Sequence, residues 1–162
     1  MRTGIFYGST TGMTESLAAK IAARTGVAQT DVHNVADASA DEADDLLLLG
    51  SSTWGCGELQ DDWYDFLDAL KRKALSGKRV ALFGCGDSAS YPDSFCDALA
   101  EIRDGLEATG CTFVGALDAA EYDGRASRIC RDGKVIGLAV DDGASEAVSD
   151  ARMEKWIAAV GF

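Results

Sequence analysis

Apolar residues follow two rhythms along this chain. Short continuous apolar runs alternate with longer stretches in which apolar positions recur every three or four residues. Thr3 to Tyr7 is brief, partly β-branched and aromatic, and bounded by glycine, which predicts a buried strand. Thr14 to Arg24 carries Leu17, Ala18, Ile21 and Ala22 at helical spacing. Asp31 to Val35 reads as a second strand, and Asp41 to Asp45 as a short acidic helix. Leu46 to Gly50 is apolar on both faces, as a central parallel strand requires. Ser51 to Gly57 reads as a loop. Leu59 to Lys73 reads as a helix, with Leu59, Trp63, Phe66, Leu67 and Leu70 along one stripe. Arg79 to Phe83 is the next buried strand, followed by Gly84-Cys85-Gly86-Asp87. Pro92 and Asp93 open a helix that runs to about Ala108, where Gly110 is a stop signal.

Thr112 to Leu117 begins the last strand, and there the rhythm changes. Asp118 to Ser127 is polar, and Arg131-Asp132-Gly133-Lys134 predicts a hairpin turn between Ser127–Cys130 and Val135–Val140. The last strand is therefore split by an insertion of about twenty residues. Glu146 to Val160 closes the chain as an amphipathic helix with Met153, Trp156 and Ile157. Alternating strands and helices imply a five-stranded parallel sheet covered on both faces, in the doubly wound order 2-1-3-4-5. The turns after strands one and three then flank the topological switch point. One α/β domain over residues 1–162 is expected.

The first of those turns is Gly8-Ser9-Thr10-Thr11-Gly12-Met13-Thr14, with four hydroxyls and two glycines in seven residues. It leads from a strand into a helix N-terminus, where free N–H groups and the helix dipole favour an anion. It holds no Lys or Arg. Met13 stands where a triphosphate loop has Lys, and the dinucleotide pattern G-x-G-x-x-G is absent. The loop suits one terminal phosphate held by neutral donors; turn-making and helix capping are the plainer use of the same residues.

Charge and cysteines narrow the picture. The formal net charge is −12, with acidic runs from Asp31 to Asp45 and from Glu58 to Asp68. Such a surface repels nucleic acid and anionic membranes, and suits a basic protein partner or simple solubility. Cys56, Cys85, Cys96, Cys111 and Cys130 form no C-x-x-C pair, and with the single His33 make no zinc set, so no metal is expected. The chain opens on its first strand without an apolar leader, and Leu46 to Leu49 is too short to span a bilayer. A soluble cytoplasmic protein is expected.

Three loops converge at one end of such a sheet: the hydroxyl-rich loop, Ser51-Ser52-Thr53-Trp54-Gly55-Cys56-Gly57-Glu58, and Gly84-Cys85-Gly86-Asp87-Ser88-Ala89-Ser90-Tyr91. Trp54 and Tyr91 lie in polar loops beside the anion site, where two aromatics can bracket a flat ring. These motifs, G-S-T-T-G-M-T-E-S, S-S-T-W-G-C-G-E-L-Q-D-D-W and G-C-G-D-S-A-S-Y-P-D-S-F, resemble the flavodoxins from end to end. The split last strand, with R-D-G-K-V-I-G-L-A-V-D, is similar to the long-chain subgroup.

The resemblance implies a flavodoxin-like three-layer sandwich and non-covalently bound FMN. By it, Ser9, Thr10, Thr11, Gly12, Met13 and Thr14 hold the phosphate. Thr53, Trp54, Gly55, Cys56 and Gly57 line the inner side of the isoalloxazine, and Tyr91 stacks on its outer face. Cys85, Gly86 and Asp87 follow the pyrimidine edge, and Asp141 matches a position near the cofactor. The implied role is a low-potential one-electron carrier shuttling between semiquinone and hydroquinone, with the Gly55-Cys56 peptide turning toward the flavin N5. Acidic charge around the ring would lower the potential. A monomer docking transiently on basic surfaces of reductases and oxidoreductases is expected, through Glu58, Asp61, Asp62, Asp65 and Asp68. No catalytic acid–base set is visible. The alternative on the same fold is an FMN-dependent NAD(P)H or quinone reductase, which needs space above the ring where Tyr91 is expected. A cofactor-free receiver domain would need an acid pair after the first strand, where Tyr7-Gly8-Ser9 stands.

Overall fold

The computed structural model describes residues 2–40, 44–54, 57–121 and 127–162. Strand β1 (Thr3–Gly8) pairs in parallel with β2 (Val32–Asn34) on one side and β3 (Leu46–Trp54) on the other. A two-residue strand, β4 (Glu58–Leu59), folds back antiparallel on the end of β3. Strand β5 (Arg79–Gly86) lies along the far side of β3. Its outer edge is shared. β6 (Thr112–Val114) pairs with Arg79–Ala81, and β10 (Leu138–Asp141) pairs with Phe83–Gly86, both in parallel. The split last strand is thus real, and the order is the expected doubly wound one.

Residues between those two halves form their own small sheet, β7 (Leu117–Asp118), β9 (Lys134–Val135) and β8 (Cys130–Arg131). Asp132 and Gly133 turn the hairpin with φ of 53° and 76°, the left-handed pair that a tight hairpin requires. The hairpin is shorter than expected: Val135 belongs to it, whereas Leu138–Asp141 joins the main sheet. β6 likewise stops at Val114, because Gly115 takes φ 83° and turns the chain away.

Helices α1 (Met13–Thr25) and α4 (Glu146–Val160) lie side by side, joined by Arg24–Asp150 and Lys20–Glu146 ion pairs. Helices α2 (Trp63–Lys71) and α3 (Ala98–Leu106) pack together where Gly105 faces Leu67 and Lys71. The sheet lies between the two helical layers, so β3 and β5 are buried almost throughout. Trp63, from α2, donates its indole N–H to Gly50 O at 2.7 Å, while Trp156, from α4, meets Phe83 edge-on at 6.1 Å. Both indoles are fully buried, and each fixes a helix onto the sheet.

Three expected boundaries move. Ser51–Trp54 continues β3, because β4 supplies a partner at Thr53↔Leu59 and Trp54↔Glu58. Leu59 therefore belongs to a strand, and helix α2 begins at Trp63 after a turn closed by Trp63 N to Gln60 O at 2.9 Å. The helix expected from Pro92 begins at Ala98, since Cys96 adopts φ 55° and interrupts helical backbone. Of the acidic helix expected at Asp41–Asp45, residues 41–43 lie outside the described residues. Asp44 and Asp45 lead into β3 without helical structure, and the Arg2 guanidinium pairs with Asp44 at 2.9 Å. His33 sits in β2 and stacks on Phe6 at 5.0 Å, a packing role.

Candidate functional site

The carboxyl ends of β1, β3, β5 and β10 meet on one side of the sheet. Between them lies a cleft of about 340 Å³. Thr11 and Met13 stand at one end; Ser52, Thr53 and Trp54 form one wall. Cys85, Gly86 and Asp87, from the end of β5, line the cleft too, as do Tyr91, Ser94 and Phe95 from the segment that follows. Trp54 and Tyr91 are 41% and 54% exposed, so both rings are available to a ligand instead of filling the core.

Helix α1 starts at this cleft. Gly12, its N-cap, has φ 91°, and no side chain caps the helix. Its first N–H groups are therefore left without an intrahelical acceptor, as at any helix start, and are free to bind an anion. The Ser9 hydroxyl accepts from Gly12 N at 3.0 Å and shapes the loop. Thr10 Oγ1 accepts from Gln60 Nε2 at 3.1 Å, which ties the loop to the residue after β4. Thr14 is fully buried, and its hydroxyl lies 3.7 Å from the Cys85 thiol. Ser9, Thr10 and Thr14 thus hold the loop's shape, while Thr11 and Met13 face the cleft.

The two aromatic loops are held just as locally. Trp54 Nε1 donates to Ser52 Oγ at 3.0 Å. Thr53 Oγ1 accepts from Ala98 N at 3.2 Å and so caps α3 from β3. Asp87 Oδ1 accepts from Ala89 N at 3.1 Å and from Ser90 N at 3.2 Å, and Tyr91 N donates to Asp87 O at 2.9 Å. Asp87 is thereby the residue that folds the loop presenting Tyr91. These bonds, led by that from the Ser90 side chain, hold its carboxyl below the usual range.

Asp141 does not line the cleft; it accepts from Ser88 N at 3.3 Å and from the Ser88 hydroxyl, fastening that loop to β10. Its neighbour Asp142 lines the cleft instead, with its N–H on Gly86 O at 2.8 Å. Burial, then Asp87 and Asp141, push the Asp142 carboxyl above the usual carboxylate range. The Cys85 thiol is pushed up to about 11, chiefly by burial, with the Thr14 hydroxyl opposing. Burial also raises Cys96 well above an ordinary thiol. In both, burial disfavours the thiolate, the nucleophilic form.

Gly57 is buried behind the cleft with φ 102°, packed on Asp97. Gly55 and Cys56, and the peptide between them, lie outside the described residues. Ser52, Ser94, Phe95, Cys96 and Asp142 join the cleft without having been expected there. Ser94–Cys96 were hidden inside an apparent helix. Asp142 could have been found from the Asp141-Asp142-Gly143 turn after a strand that ends beside Gly86. Among the described residues no group of His, Cys, Asp and Glu could hold a metal ion.

Comparison with known proteins gives concordant matches. The family model described as Flavodoxin matches residues 5–156. Flavodoxin 1 of Escherichia coli (strain K12) is 46% identical over 158 residues, which is 96% of this chain and 90% of that protein. Flavodoxin of Klebsiella pneumoniae is 45% identical over 157 residues, covering 95% and 89%. Among solved structures, the Fusobacterium nucleatum flavodoxin bound to flavin mononucleotide superposes with a TM-score of 0.87. It is 28% identical, and the match covers 98% of this chain and 96% of that one.

Proposed function

This chain belongs to the flavodoxin family, and on that premise we propose that it is a low-potential one-electron carrier that binds FMN non-covalently. The residues present fit the group. The cleft is open between two exposed aromatic rings, and the uncapped start of α1 stands at its end. That coincidence is the observation that carries the reading. When bound, the flavin supplies the redox chemistry, and the protein sets its position and electrostatics.

Thr11 and the N–H groups that begin α1 hold the phosphate, with Ser9, Thr10 and Thr14 shaping the loop around it. Trp54 and Tyr91 enclose the flat ring and exclude water from its faces. Cys85, Gly86 and Asp87 line the same cleft, and their backbone groups would hold the ring's polar edge. The phosphate loop brings no basic side chain, and Asp87 and Asp142 add negative charge near the ring. Further negative charge placed there is disfavoured, and the more so as water is excluded. A low potential follows. Stacked on the outer face of the ring, Tyr91 would occupy the space a reductase needs for a planar substrate, which favours the carrier over an NAD(P)H or quinone reductase.

Glu58, Asp61, Asp62, Asp65 and Asp68 are all exposed on β4, α2 and the turn between them, beside Trp54. We assign this face to transient docking on basic surfaces of redox enzymes, weakened by salt. Among the described residues no helix is long and apolar enough to cross a membrane. The thiols of Cys85, Cys96 and Cys111 are free, which suits a reducing compartment, and we place the protein in the cytoplasm.

The test is titration of the flavin-free protein with FMN, followed by flavin fluorescence, then anaerobic reduction of the complex. One-to-one quenching and reduction in one-electron steps are expected. A protein that ignores FMN, or that oxidises NAD(P)H without a separate reductase, overturns the assignment.

A further inference from the structure

Asp97 precedes helix α3 and is only 4% exposed. An aspartate there ordinarily turns its carboxylate back onto the first N–H groups of its own helix. Here it makes no such bond, and the capping of Ala98 N is done by Thr53 from β3. The carboxylate is turned instead toward the segment inserted between β6 and β10. Oδ1 accepts from Arg128 N at 2.8 Å, and the Ser127 hydroxyl bonds the same group. The other side of Asp97 presses on Gly57. A Cβ at that glycine would come within 2.8 Å of Asp97 Cβ and 3.1 Å of its Oδ2.

Gly57 closes the turn that follows Trp54, its N–H on Trp54 O at 3.2 Å. Just ahead of Asp97 in the chain, Ser94, Phe95 and Cys96 line the cleft. A buried carboxylate with no task in its own helix therefore stands between Gly57, the cleft-lining segment Ser94–Cys96 that leads into it, and the insertion. The insertion is independently fastened to the outer face of α3, where Arg128 pairs with Glu101 at 2.7 Å and Asp104 at 3.0 Å, and Arg131 pairs with Asp104 at 3.0 Å.

We propose that Asp97 is a positioning residue for flavin binding, through which Ser127 and Arg128 of the insertion hold the Gly57 turn, and with it Trp54, in the ring-binding position. This rests on the FMN reading above. The insertion then has a task at the cofactor site although none of its described residues lines the cleft. The physical reason is stiffness. A two-residue strand such as β4 holds weakly by itself, whereas a buried carboxylate bonded on one side and packed on the other leaves Gly57 little freedom.

The test uses the full chain with and without FMN. Asp97→Ala should raise the FMN dissociation constant about tenfold, the loss expected for one charge-assisted hydrogen bond. Ser127→Ala, the milder change, should raise it in the same direction by less. Asp97→Asn keeps an acceptor for Arg128 N–H and should recover most of the affinity. In the flavin-free chain, amide exchange from Gly57 to Leu59 should quicken in Asp97→Ala and Ser127→Ala. Asp104→Asn, which loosens only the outer fastening, should leave both readouts unchanged. Unchanged affinity and exchange in folded Asp97→Ala and Ser127→Ala overturn the role, as does an equal effect of Asp104→Asn. Absence of FMN uptake by the unaltered chain overturns the carrier reading itself, a different result from equal uptake across the series.

Discussion

Gln60 donates its side-chain amide to Thr10 Oγ1 at 3.1 Å, across fifty residues of sequence. The same amide reaches Asp62 Oδ2 at 2.8 Å, and its oxygen accepts from Asp62 N at 3.1 Å. Its own backbone N–H bonds Ser51 Oγ at 3.2 Å. At 2% exposure, Gln60 is a buried polar joint between the α1 loop, the end of β3 and the start of α2. Gln60→Leu keeps the volume and removes the amide. It should cost about 1 kcal/mol, the net worth of a typical hydrogen bond, because its side-chain partners Thr10 and Asp62 are exposed and can turn to water, and it should weaken FMN binding as well. Urea unfolding of the flavin-free form and a flavin titration check the two effects; equal stability would show that the joint contributes nothing net.

Gly8 shows the same joint from the other side. A Cβ there would come within 2.4 Å of Gln60 Oε1 and 2.5 Å of Trp63 Cδ1. Trp63 cannot retreat without breaking its 2.7 Å bond to Gly50 O. Gly8→Ala should therefore destabilise by about 1–3 kcal/mol through overpacking. Thermal melts with and without FMN measure it, and an unchanged melting temperature would contradict the close approach.

Tyr91 offers the opposite case. It is 54% exposed, so Tyr91→Ala should leave the stability of the flavin-free chain within about 0.5 kcal/mol. The loss should fall on the ligand. Removing one stacking face should weaken FMN binding by about tenfold, and the bound flavin should become more fluorescent. An affinity equal to that of the unaltered chain would place the ring elsewhere.

Asp142 makes the stability depend on pH in a definite direction. Burial first, then Asp87 and Asp141, raise its carboxyl above the usual range in the folded state. The folded chain keeps that proton to a higher pH than the unfolded chain does. The stabilisation is complete below the ordinary aspartate range of about 4, and is lost as pH rises through the raised folded value. Asp142→Asn should therefore raise the melting temperature of the flavin-free form at neutral pH, and the gain should shrink toward pH 4. A gain that grows on acidification would have the wrong sign. With FMN bound, the same change should make the flavin easier to reduce, read by potentiometric titration.

Much of this architecture was legible in residue order. The apolar run Leu46–Leu49, the helical spacing of Leu17, Ala18, Ile21 and Ala22, and the break after Leu117 pointed to the strand order and the split last strand. They did so because burial on two faces, on one stripe or on none leaves a local pattern. The loop chemistry also showed: hydroxyls and glycines before a helix, and aromatics in polar loops. Leu59 misled, since an apolar residue one turn ahead of Trp63 suits a helix stripe as well as a two-residue strand. Only the pairing with Thr53 decides between them.

What the chain dictated by itself was the set of elements, the end of the sheet where loops gather, and the residue types offered there. Tertiary structure decided which of those residues face the cleft. Thr14 turns inward to Cys85, Asp141 goes to Ser88 while Asp142 takes the cleft, and Asp97 leaves its own helix for the insertion. Those choices depend on hydrogen-bond partners far away in sequence. Periodicity records how much of a side chain is buried, but not which distant donor it meets when the strands come together.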